Sequence, residues 1–200
     1  MTATSASTVR WLSRAAFFLS GVAGLTFEIV WIRALGLSLG ANVLAVATTT
    51  AAYMGGLAIG GHVGGRIADR LRRPLSVYGI LEVSLGLSAV PILAVARAIP
   101  QLDGFILHEL SSGFVRALLR FILAFGLLLI PTAAMGMTLP ILARAVTRHV
   151  AEVGKQVGSL YAINLLGAVV GAGLSGFFLL PYLGLWRTNG AAAATDLVLG

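Results

Sequence analysis

The chain has 200 residues, 58% of them hydrophobic and only 10% charged, with 14 basic side chains against 7 acidic ones and no cysteine. A mean hydropathy of +0.96 lies far from that of a domain needing a polar surface. The lack of cysteine excludes disulfides, thiolate metal centres and cysteine nucleophiles. The net charge of +7 would point to nucleic acid in a soluble protein. Here the arginines sit at the ends of apolar runs, where they orient helices and meet lipid headgroups, so the expected partner is the bilayer and not nucleic acid.

The fold class read from this pattern is all-α, a polytopic membrane bundle of about six helices, since about 20 apolar residues cross a bilayer. Residues 1–14 read as a cytoplasmic tail and 15–200 as the transmembrane bundle. The first span covers about 15–39. Arg10 and Arg14 ahead of it imitate a signal peptide, but the run is too long and has no small-residue cleavage site, so it reads as a retained helix. The second span, about 42–63, ends in GLAIGGHVGGRIADRLRRP. There Gly56, Gly60 and Gly64 recur every fourth residue, a face on which a neighbouring backbone can approach closely.

The third span covers about 75–99 and carries Glu82. The connection 101–114 mixes apolar and charged residues and reads as an interfacial amphipathic segment. The fourth span, about 117–143, holds Pro131 and Pro140, each expected to kink or loosen the helix. The fifth, about 160–183, has a small-residue stripe of Gly167, Gly171 and Ser175 like that of the second, as a 3+3 inverted repeat requires. The sixth, 188–200, is too short to cross the hydrocarbon core, which predicts an incomplete last helix or a fragment of a longer protein. With the N-terminus inside, nine basic residues fall on the cytoplasmic side and Arg33, Arg97, Arg116, Arg120 and Arg187 opposite, favouring a cytoplasmic N-terminus.

Two stretches carry a resemblance. GRIADRLRR (65–73) resembles the loop between the second and third helices of major facilitator transporters. The resemblance implies a conformational latch of Gly65, Asp69, Arg70 and Arg73, in which the carboxylate accepts hydrogen bonds from arginine and from a helix N-terminus. More widely, FEIVWIRALGLSLG (27–40), AAYMGGLAIGGHVGGRIADRLRRP (51–74), YGILEVSLGLSA (78–89), PTAAMGMTLPILARAV (131–146) and GSLYAINLLGAVVGAGLSGFFLLPYLGL (158–185) resemble, in order, the membrane region of bacterial proteins fused to a spermidine-synthase-like domain. That resemblance implies a facilitator-like half-bundle in the bacterial inner membrane, which anchors a soluble aminopropyltransferase-like domain and transports or senses a polyamine or related amine. The synthase chemistry is not expected within this chain. The aspartates Asp69, Asp103 and Asp196 do not flank a glycine-rich turn after a strand, and the glycine repeats lie inside apolar helices.

Ionisable residues at membrane depth are functional candidates. Glu28 and Glu82 are expected to bind a cation or proton, with Trp31 and Tyr161 offering aromatic faces to an amine and Asn164 completing a Glu82–Asn164–Tyr161 cluster. The competing structural reading pairs or protonates each carboxyl merely to fix helix register. Arg33 lies about 140° around the helix from Glu28, so the partner of Glu28 is expected on another helix. Gly173-Leu174-Ser175-Gly176 matches the GxSG of rhomboid proteases, but no histidine follows Ser175 to serve as base. His62, His108 and His149 are far apart, and Glu152 beside His149 makes too few ligands, so neither metal nor cofactor is expected. Two further readings compete with an amine-handling domain: a stand-alone half-transporter that homodimerises through its glycine faces, and a purely structural anchor.

Overall fold

In lipid every backbone polar group must be satisfied within the chain, which leaves helices for apolar runs of this length. The computed structural model describes residues 3–39, 42–102, 113–147 and 149–200, and these are almost entirely helical, with no strand among them. In chain order the helices are α1 (Ala3–Leu39), α2 (Asn42–Ala68), α3 (Pro74–Leu102), α4 (Gly113–Val146), α5 (Val153–Leu174) and α6 (Leu180–Leu199). A 3₁₀ turn, Val150–Glu152, leads into α5, and a π-helical stretch, Ser175–Leu179, joins α5 to α6 without a loop. Five helical runs are long and apolar enough to cross a membrane, the last, Val153–Leu199, taking in both α5 and α6. Their outward surface is oily: Ile130, Phe177 and Val198 are each more than three-quarters exposed, which suits a lipid environment and not water.

Several boundaries differ from the sequence expectation. Most of the expected tail, 1–14, is helical from Ala3, because no glycine or proline interrupts the chain before Gly21. α5 begins at Val153 and not near residue 160. The proline pair does not break the fourth helix, which runs through Pro131 and Pro140 as one element. The break falls instead at Gly184, whose φ of 73° and ψ of 178° suit a residue without Cβ. The expected interfacial segment 101–114 falls mainly on residues 103–112, which lie outside the described residues.

Close approaches fix how the helices run. Along α2, an added methyl at Gly56, Gly60 or Gly64 would strike Thr132, the Ala133 carbonyl or Met137 of α4 in turn, so the two helices run parallel. α1 and α5 are also parallel: Gly167 abuts Phe18, Gly171 abuts Val22, and Gly21 abuts the backbone of Asn164. After Gly184 the chain turns back along α3, with Asn189 facing Ala89, Gly86 facing Ala193, and Gly79 facing Gly200. The short final segment is therefore a packed antiparallel partner of α3. α6 further touches α1, and α3 further touches α4.

The core divides into two apolar clusters. One gathers Phe27, Trp31, Leu35, Leu93 and Leu128, the other Phe17, Tyr78, Ile141, Leu142 and Leu160. Inter-helix hydrogen bonds supplement the glycine contacts: the Thr132 hydroxyl donates to the Ala52 carbonyl at 3.1 Å, and Asn189 Nδ2 to the Ala89 carbonyl at 2.9 Å.

Candidate functional site

Four helices, α1, α2, α4 and α5, enclose a cavity of about 710 Å³, within the ordinary range for small-molecule sites. The glycine stripes create it indirectly. They draw α2 onto α4 and α1 onto α5, leaving a cleft between the two pairs. Its wall is largely apolar, with Met54, Leu57, Met135, Leu139 and Val169 among the lining residues. The polar groups are few: Ser20 and Glu28 from α1, Tyr53 from α2, Thr138 from α4, and Tyr161 and Asn164 from α5. Glu28 is the one ionisable acid in the lining, and no lysine, arginine or histidine joins it among the described residues.

Each group is held by its own helix. Tyr53 is almost completely buried and lines the cavity together with Glu28. Its hydroxyl fits against Gly24, where an added methyl would lie 3.1 Å away. Asn164 Nδ2 donates to the Phe17 carbonyl at 2.9 Å, which fixes α5 against α1. The Thr138 hydroxyl is turned back on its own helix, donating to Met135 at 2.6 Å. Tyr161 is mostly exposed at the cavity rim.

The structure therefore gathers Glu28, Tyr161 and Asn164 at one cavity but separates them from Glu82 and Trp31. The expected Glu82–Asn164–Tyr161 cluster is not formed, because α5 packs on α1 while Glu82 of α3 faces α6. Glu82 is wholly buried beside Asp196, Tyr78 and Ser20. Trp31 is also buried and spends its ring on the core, stacked on Phe27 at 5.5 Å between centroids and 13° between planes. Sequence reasoning missed Tyr53 and Asp196. Tyr53 lies at i−3 from Gly56 in the glycine-rich helix, a position that marks it as packed. Asp196 sits in a segment read as too short to span.

The expected latch takes a different partner. Asp69 Oδ1 lies 3.5 Å from Arg144 Nε, joining the ends of α2 and α4. Gly65 has open space where a side chain would stand, so close packing does not require it. Ser175 is fully buried and its hydroxyl donates to Thr26 at 2.8 Å, a helix-to-helix bond that leaves it inaccessible as a nucleophile. No group of three or more metal-ligating side chains is assembled among the described residues. Comparison with protein-family models, with curated proteins and with solved structures returns no match.

Proposed function

We propose that this chain is a facilitator-like membrane unit, with its N-terminus in the cytoplasm of a bacterial cell, that binds a polyamine or related cationic amine to transport or sense it. The observation that carries this reading is the single carboxylate, Glu28, in an otherwise apolar cavity that offers no competing positive charge. The aliphatic wall accommodates the methylene chain of an amine, and Tyr53, Tyr161 and Asn164 supply oxygens to its ammonium hydrogens.

The helix pairing supports the facilitator-like half-fold. Exchanging the first three helices with the last three maps the α2–α4 pair onto α5–α1 and the α1–α6 pair onto α4–α3, and α3–α6 onto itself, while the α1–α3 contact has no comparable α4–α6 counterpart. The sequence resemblance to the membrane region of spermidine-synthase-like proteins supplies the choice of amine.

Uptake of labelled putrescine and spermidine into proteoliposomes tests the proposal. The intact protein is expected to accumulate or exchange the amine, and Glu28→Gln to reduce this at least about tenfold, the loss of one charge-assisted contact. A structural anchor predicts no uptake by either form and no amine-induced rise in melting temperature.

A further inference from the structure

Behind the cavity lies a second polar cluster that the amine site does not use. Glu82 of α3 and Asp196 of α6 stand side by side, with relative exposures of 0% and 1%. They occupy the seam between the two apolar clusters of the core, where Tyr78 and Phe17 lie on one side and Ala89, Ala192 and Ala193 on the other. Both oxygens of Glu82 and Oδ1 of Asp196 lack an aligned hydrogen-bond partner among the described residues. So does the hydroxyl of Tyr78, which is 4% exposed and placed against Glu82. The polar and titratable groups around the pair are Tyr78 on α3, Ser20 on α1 and Tyr53 on α2. None of these is basic.

Two adjacent carboxylates walled by apolar side chains and without a counter-ion cannot both be ionised, so they hold at least one proton between them. A structural acid would be expected to find an arginine, or hydrogen bonds that use its oxygens. Here the pair has no cationic partner, its polar neighbours are hydroxyls and each other, and it has an outlet. Ser20 touches Glu82 and also lines the cavity.

We propose that Glu82 and Asp196 form an exchangeable proton-binding site, reached from the cavity past Ser20. Loading converts one carboxylate of the pair to the carboxylic acid. Release returns that proton to water in the cavity and leaves the remaining proton shared between the two side chains.

Infrared difference spectroscopy on the whole chain in lipid nanodiscs, without any amine, tests this separately from the amine site. Between mildly acidic and alkaline buffer, the protonated-carboxyl stretch of the wild-type protein is expected to lose intensity reversibly. Glu82→Gln and Asp196→Asn should each remove that change, whereas Asp69→Asn on the exposed α2 end should leave it. A band that stays constant across the pH range shows a locked, structural proton and overturns the proposal. So does a change that survives in both buried variants, or one produced by sodium at fixed pH, which identifies a metal-cation site. If the buried variants do not fold, the wild-type titration and its sodium control still decide.

Discussion

Glu28 and Glu82 are the same residue type in different surroundings. Glu28 opens onto a cavity that Tyr53 also lines, whereas Glu82 lies buried beside Asp196. Tyr53→Phe keeps the ring in its slot against Gly24 and removes one hydroxyl. Equilibrium binding of spermidine is expected to weaken by about 1 kcal/mol, the net worth of one hydrogen bond. An unchanged affinity would remove Tyr53 from the site. Polar contacts between helices carry smaller terms. Asn189→Ala and Ser175→Ala each delete one buried inter-helix bond, and in a membrane such bonds average about 0.6 kcal/mol. Thermal unfolding in detergent should register a small loss for each and leave the fold intact. The Asp69–Arg144 pair is mostly exposed on the aspartate side, so neutralising it should change stability by less than about 1 kcal/mol.

At the scale of the helix, glycine position decides the architecture. Gly60 meets the Ala133 carbonyl of α4, while Gly65, five residues on, has nothing near it. Gly60→Leu must push two backbones apart along the whole α2–α4 contact, whereas Gly65→Leu adds a side chain in open space. The first is expected to lower the melting temperature sharply or to prevent isolation of a monodisperse protein, and the second to behave as wild type. Equal behaviour of the two would mean that the stripe does not hold α2 to α4. The stripe itself is legible in the sequence as a four-residue repeat, and so is the matching one on α5. Which helix each stripe meets is not legible, because any smooth face accepts another. The break in the last helical run was also hidden. Pro131 and Pro140 look like the disruptive residues, yet α4 absorbs both, and the chain reverses at Gly184. A glycine can turn a helix by adopting positive φ without announcing it in composition.

For the molecule as a whole, hydropathy discloses the helical class and the number of long apolar runs, since these depend only on residue type along the chain. The cavity depends on which helices pair, and that is set by non-local contacts. Glu28, Tyr161 and Asn164 were accessible to sequence reasoning because a polar residue in an apolar run is conspicuous. Their separation from Glu82 follows from α5 lying on α1 and α6 lying on α3, an arrangement no local pattern specifies. Asp196 is conspicuous by the same rule, but it lies in a segment that reads as too short to cross the hydrocarbon core. The structure shows that a short antiparallel helix buries an acid as fully as a long one.

The proposed function requires the cleft among α1, α2, α4 and α5 to be open to a cationic amine. The absence of cysteine makes a direct measurement available. Single cysteines are introduced at Tyr161, on the cavity rim, and at Leu93, in the sealed core, and their rates of modification by a water-soluble thiol reagent are compared in reconstituted vesicles. The account predicts rapid labelling at position 161, slowed several-fold by spermidine and not by a neutral diol of similar length, with protection lost in Glu28→Gln and no labelling at position 93. Labelling at position 161 that spermidine leaves unchanged, or protection that persists without the Glu28 carboxylate, would contradict it.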